Sequence, residues 1–196
     1  MSEKVVNILL AGVGGQGILL TSEILSEVAL RKGLDVKKSE VHGMAQRGGS
    51  VVSHVRIGKE VHSPLIREGE ADFLLSFEKM ETLRWQSLVS KKTVCVVNDT
   101  EIFPTNVNVG LDKYPQGLDA FLDENFNACF RLDASGLAVK AGTAKAANIV
   151  LVGALARMLP DYDKSLWIEV IKEKVPKATI GINTEAFELG YQAMVL

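Results

Sequence analysis

Residues 5–25 read VVNILLAGVGGQGILLTSEIL. An unbroken apolar run over residues 5–11 that ends in glycines suits a strand buried on both faces in a parallel sheet. Beyond the glycines, Leu20, Ile24, Leu25 and Val28 recur at helical spacing, and Gly33 stands where such a helix would end. The stretch therefore predicts a strand, a tight turn and a helix. Gly12, Gly14 and Gly17 fit the spacing GxGxxG. Glycines there permit a tight turn and close backbone approach, while free amides at a helix start attract an anion such as a phosphate. Glu40 lies near the place, about 20 residues on, where a dinucleotide site keeps the carboxylate that holds the ribose.

Outward from this unit, residues 34–39 form a short second strand, and the polar EVHGMAQRGG of residues 40–49 has neither helical nor strand period, which marks a functional loop. Residues 50–57 alternate as a strand, and Gly58 and Lys59 suit a hairpin turn into a return strand at 60–62. Residues 72–76 and 93–98 are buried strands around an amphipathic helix over 79–89. Residues 99–125, with Pro104, Pro115 and Gly117, read as an irregular surface excursion before a strand at 128–132. Helices follow at 144–159, stopped by Pro160, and at 166–175, with a last one capped by Asn183. No repeat, low-complexity run or linker divides the chain. The expectation is one α/β domain over residues 1–196: a three-layer Rossmann-like sheet, mostly parallel, with an inserted antiparallel hairpin and helices on both faces.

Composition removes several classes of function. With 196 residues, 47% of them hydrophobic, the chain can bury one sizeable core. Lys plus Arg is 22 against Asp plus Glu 24, a formal net charge of −2, so no broad field draws the chain to nucleic acid or to an anionic membrane. The short apolar stretch near the start is too brief for a signal-peptide core or a spanning helix, which points to the cytoplasm. Cys95 and Cys129 sit in separate apolar runs and read as inert core thiols. Three scattered histidines without clustered carboxylates make no metal site.

A dinucleotide reading meets three objections: its acid lies in a large polar loop, an antiparallel ribbon interrupts the βαβ order, and the chain is small for a second, substrate-binding domain. A glycine turn serving packing alone stays open. A second constellation changes the balance. His42, Gln46, Arg47, Gly48, Gly49, Ser50, Ser53, His54 and Arg56 gather polar and cationic groups in one short segment. Arginine offers a planar fork for a carboxylate or phosphate, and the adjoining glycines let a ligand or another subunit approach the backbone. His54 and Arg56 alternate on one strand face and read equally as solvated, and His62 as a surface histidine.

The pair GVGGQG at 12–17 and EVHGMAQRGGSVVSHVRIG at 40–58 resembles the gamma-type subunit of 2-oxoacid:ferredoxin oxidoreductases. The HGMAQRGG wording is most similar to the beta subunit of the indolepyruvate branch, and the likeness extends to Asn148 in AANIVLVGAL. The resemblance implies an enzyme that cleaves a 2-oxoacid with thiamine diphosphate, passes electrons through iron–sulfur clusters to ferredoxin and transfers the acyl group to coenzyme A.

Two isolated cysteines cannot ligate a four-iron cluster, and the GDG pattern expected beside thiamine diphosphate is missing. The resemblance thus implies that thiamine diphosphate, magnesium and 4Fe–4S clusters sit in a larger alpha subunit, with none held by this chain alone. This chain would complete a split site. Gly12, Gly14, Gly15, Gln16 and Gly17, with Gly48, Gly49, Ser50 and Asn148, would bind cofactor or co-substrate. Arg47 would face a carboxylate or phosphate, and His42 would donate a hydrogen bond or shuttle a proton. A standalone NAD- or FAD-binding domain and an assembly subunit without ligand contacts are the alternatives.

Overall fold

The computed structural model describes residues 4–42 and 49–194. Strand β1 (Val6–Val13) is buried along nearly its whole length. After the glycine turn, α1 (Ile18–Arg31) buries Ile24, Leu25 and Val28, the residues whose spacing marks its inner face. It ends before Gly33, which adopts a left-handed φ of 74°. Strands β2 (Asp35–His42), β3 (Ser50–Gly58) and β4 (Phe73–Ser76) follow, then a short helix α2 (Lys79–Arg84) and β5 (Val94–Asn98). The excursion that follows holds α3 (Thr105–Asn108) and α4 (Leu118–Asn125) and leads into β6 (Ala128–Leu132). Four helices complete the chain: α5 (Ala134–Ala141), α6 (Ala147–Arg157), α7 (Lys164–Lys174) and α8 (Ile180–Ala193).

The strands form one sheet in the order β2-β3-β1-β4-β5-β6. β1, β4, β5 and β6 are parallel, while β3 runs against both β1 and β2. The α/β architecture is therefore the expected one, a mostly parallel sheet with an antiparallel hairpin. The hairpin itself is built differently. Its second arm is β2, paired with β3 from Asp35↔Gly58 to His42↔Val51, and not a return strand at 60–62. With β1 on one edge of β3 and β2 on the other, no edge is free for a further strand. The chain after Gly58 instead leaves the sheet, and the Val61 amide donates to Asp35 Oδ2 at 2.8 Å.

Other departures are local. The helix expected at 79–89 stops at Arg84 and gives way to a 3-10 turn, Gln86–Leu88. α5 has no counterpart in the sequence reading, its short ASGLAVKA carrying a weak pattern, yet Asp133 caps it by accepting from Gly136 N–H at 2.7 Å. Asn183 lies inside α8 and donates to the Thr179 carbonyl at 2.9 Å, so it is no cap.

Alternation along β1 sorts the core into two layers. Ile8 and Leu10 face a large cluster fed by α1 and α5–α8, including Trp167, Ile149 and Phe187. Leu9 and Ala11 face a smaller one with Leu74, Cys95, Val97, Leu122 and Phe126. In the large layer α6 and α8 cross at backbone contact. A Cβ on Gly190 would lie 1.9 Å from the Val150 carbonyl oxygen, and one on Gly153 2.1 Å from that of Phe187. Among the described residues no helix is long and apolar enough to cross a membrane.

Candidate functional site

The carboxyl ends of the parallel strands are where an open α/β sheet binds ligands. Here that edge carries Gly12 and Val13 of β1, Ser76 of β4 and Asn98 of β5. Because β3 is reversed, its first residue Ser50 lies there too, paired with Val13. His42, at the end of β2, pairs with Val51, which pairs with Gly12, so the three backbones form one row across the sheet. The topology thus brings both ends of the polar loop to the glycine turn. Of the loop's candidate residues, Arg47 and Gly48 lie outside the described residues, and His42 is described through its backbone.

The turn is held from within. The Gln16 side chain folds back under it, accepting from Val13 N–H at 2.6 Å and donating to the Phe77 carbonyl at 2.9 Å. The Gln16 amide donates to Val13 O, and the Gly14 amide crosses to Gly49 O at 2.9 Å. Gly17 takes a φ of 81° as the N-cap of α1, and a Cβ on it would lie 2.6 Å from Asn148 Nδ2. Asn148 therefore packs beneath Gly17, with its Nδ2 at 3.5 Å from the Gly17 carbonyl. A Cβ on Gly12 would stand 2.7 Å from the Phe77 Cβ. Gly12, Gln16 and Asn148 accordingly shape the turn, and Gly15, with a φ of 100° and open space where a side chain would be, faces outward.

Two adjoining clefts open at this turn, and Gly15, Lys145 and Asn148 line both. The first, about 380 Å³, is bounded by Gln16, Phe77, Asn98, Thr100, Ile102 and Ser135. The second, about 470 Å³, is more apolar, with Leu20, Val175, Pro176 and Ile182 beside Thr143. Both volumes fall in the range of small-molecule sites. Lys145 is exposed at their shared rim, with no carboxylate in ion-pair range among the described residues. Sequence reading missed this cation, which stands three residues before Asn148 in AKAAN; its only signal was that proximity.

The flank beside β4 carries two carboxylates that the motif search also passed over. Glu78 caps α2, accepting from Glu81 N–H at 3.1 Å, and Glu81 lies one turn on; both are buried. Glu81 accepts from the Ser50 hydroxyl and, at 3.1 Å, from Arg84 Nε. Ser50, expected as a ligand group, is thus tied to the scaffold. Glu78 accepts from the Ile102 amide at 3.2 Å and from the Tyr114 hydroxyl. Burial pushes the Glu78 carboxyl above the ordinary range, while the Tyr114 hydroxyl and the Ile102 and Glu81 amides pull it back. Burial and the bond to Glu78 together raise the Tyr114 phenol.

The remaining polar residues of the early segment are structural. His54 is buried on β3 and accepts the Ile66 amide at Nδ1, 3.2 Å, and burial depresses its pKa. Arg56 donates to Asn7 Oδ1 at 2.8 Å and to the Ser63 carbonyl at 2.9 Å. Glu40, the ribose-binding candidate, accepts from Ser22 Oγ at 2.9 Å and Lys38 Nζ at 3.3 Å. It sits on β2, two strands from β1 because β3 intervenes, or about 10 Å across the sheet. A dinucleotide laid on the turn does not find its carboxylate there. Cys95 and Cys129 are in-register neighbours on β5 and β6, so the two thiols are not isolated in space. Among the described residues no group of three or more His, Cys, Asp or Glu is arranged to hold a metal ion.

Residues 7–193 match the pyruvate ferredoxin/flavodoxin oxidoreductase family. The chain belongs to that family. Its resemblance to gamma-type subunits, carried by GVGGQG and HGMAQRGG, is borne out. The chain is 42% identical over 195 residues to the indolepyruvate oxidoreductase subunit IorB of Thermococcus kodakarensis, across 97% of this chain and 96% of the relative. Among solved structures, the gamma subunit of keto/oxoacid ferredoxin oxidoreductase from Geobacter sulfurreducens superposes with a TM-score of 0.71 at 23% identity, covering 96% of this chain and 97% of that one. The 2-oxoglutarate:ferredoxin oxidoreductase from Magnetococcus marinus superposes with a TM-score of 0.75 at 22% identity. There the match covers 98% of this chain and 31% of the other, longer chain. These likenesses speak for the fold.

Proposed function

We propose that the chain is the thiamine-free subunit of a ferredoxin-dependent 2-oxoacid oxidoreductase, acting as one unit in the cytoplasm, with indolepyruvate or another aryl pyruvate as the 2-oxoacid. It works with a larger alpha subunit that holds thiamine diphosphate, magnesium and 4Fe–4S clusters and that hands electrons to ferredoxin. Their chemistry, decarboxylation and electron removal, belongs to the partner. This chain's share is the acyl acceptor, coenzyme A.

The observation that carries this reading is the pair of clefts meeting at Gly15, Lys145 and Asn148. Coenzyme A is long, anionic at its phosphates and apolar along part of its arm. The Lys145 ammonium and the outward-facing backbone at Gly15 suit a phosphate, and the Leu20, Pro176 and Ile182 wall suits an apolar portion. Arg47 and His42 belong, in this reading, to the flank that meets the 2-oxoacid carboxylate in the assembled enzyme. The 42% identity to a protein named for indolepyruvate supports the choice of substrate.

Anaerobic co-expression with the alpha subunit, followed by indolepyruvate-dependent reduction of a viologen dye, tests the assignment. Activity is expected only when both chains are present. Full activity from the alpha subunit alone overturns it. Within the complex, Lys145→Ala is expected to raise the KM for coenzyme A about 10-fold with kcat little changed, as loss of a binding contact does. Arg47→Ala is expected to lower turnover with assembly intact, by about 10- to 1,000-fold. A loss of assembly with unchanged turnover in the preformed complex would make Arg47 an interface residue instead.

A further inference from the structure

Thr100 and Ile102 form one wall of the smaller cleft, and they belong to the irregular excursion between β5 and α4, whose Asp99, Glu101 and Phe103 are exposed. Such a segment has little apolar burial to hold it in place. The Asp99 amide donates to the Leu132 carbonyl of β6 at 2.8 Å, and further polar contacts come from the start of α2 and its cap. The Lys79 amide donates to the Thr100 carbonyl at 3.1 Å, and Lys79 Nζ reaches Asp99 at 2.5 Å. Glu78 takes the Ile102 amide and, twelve residues further along, the Tyr114 hydroxyl. One carboxylate therefore gathers both ends of the loop that borders the cleft, while its own side chain lines neither cleft.

Glu78 is fully buried, and no cation lies in ion-pair range of it among the described residues. An apolar side chain of similar size would fill the space with less desolvation cost. The carboxylate adds direction instead: its two oxygens receive donors from α2, from the cleft wall and from Tyr114, so the wall has one set position.

We propose that Glu78 is a positioning residue for coenzyme A, acting with Tyr114 to set the Thr100–Ile102 wall without touching the ligand. The inference rests on the coenzyme A reading above. Tyr114→Phe removes one hydroxyl and keeps the ring that packs at a tilt against Phe103, with centroids 4.9 Å apart. In the assembled two-subunit enzyme this variant is expected to raise the KM for coenzyme A about 3- to 10-fold, the effect of one lost hydrogen bond, with kcat within about twofold. Glu78→Gln keeps the side-chain length and replaces an acceptor oxygen by a donor, and it should shift the same KM in the same direction.

A merely structural role would lower the unfolding temperature of both variants and leave the KM alone. That result, with Lys145→Ala raising the KM, overturns the positioning role and spares the cleft assignment. An unchanged KM in Lys145→Ala removes the cleft assignment itself, and this inference with it. Should Glu78→Gln fail to assemble, Tyr114→Phe alone decides.

Discussion

The two faces of the sheet are held by different physics. On the face covered by α1 and α5–α8, one continuous apolar cluster does the work, and α6 and α8 approach until glycine hydrogens meet backbone oxygens. On the face covered by α2 and α4 the apolar cluster is smaller, and buried polar side chains tie loops to the sheet end: Glu78 to Ile102 and Tyr114, Glu81 to Ser50. The first rests on apolar burial, which is non-directional as a driving force, with position set by how closely the helices pack. The second costs desolvation but sets positions, which a cleft wall requires. The glycine turn stands at the junction, held by Gln16 on one side and Asn148 on the other.

Breaking the apolar face should have the largest effect. Gly190→Ala sets a methyl against the Val150 carbonyl, and the helices must part; a loss of about 3 kcal/mol or more in denaturant unfolding is expected. An unchanged midpoint would mean that α6 and α8 do not cross this closely.

At the junction, Gln16→Ala orphans the Val13 amide and leaves the Phe77 carbonyl only its longer bond from Asn98 Nδ2, and a loss of about 2 kcal/mol is expected by the same measurement. If coenzyme A affinity falls instead while stability holds, the Gln16 side chain meets ligand rather than scaffold.

The smallest effect concerns pH. Burial lowers the His54 pKa from its ordinary 6.5, so as pH falls the unfolded chain takes up the proton first. Stability should be fully present above about pH 6.5 and decline below it, toward the depressed folded pKa. His54→Asn should flatten that part of the pH–stability curve. An identical slope in the variant would assign the decline to other groups.

Much of the fold was legible along the chain because its signals are local. The apolar run into GVGGQG, the helical spacing after it and the strands at 94–98 and 128–132 each depend on neighbours a few residues apart. The family was legible for the same reason, since GVGGQG and HGMAQRGG are contiguous. The hairpin partner of β3 was not, because Gly58–Lys59 has the local form of a turn whether or not an edge is free to receive a strand. Glu78 and Lys145 were equally silent. Neither stands in a motif, and each gains its place from residues far away: Tyr114 for the one, the Gly15 turn for the other.

By itself, the sequence determined that this is an α/β chain with a glycine turn and a polar loop of the 2-oxoacid oxidoreductase type, because periodicity and motif spacing are properties of short stretches. Only the tertiary structure decided that Gln16 and Asn148 bond within the glycine turn and Ser50 to Glu81, that Glu40 is two strands from the turn and that Lys145 stands at the cleft. Those outcomes depend on which strand lies beside which, and strand order is settled by the burial of the whole sheet between its two helical layers.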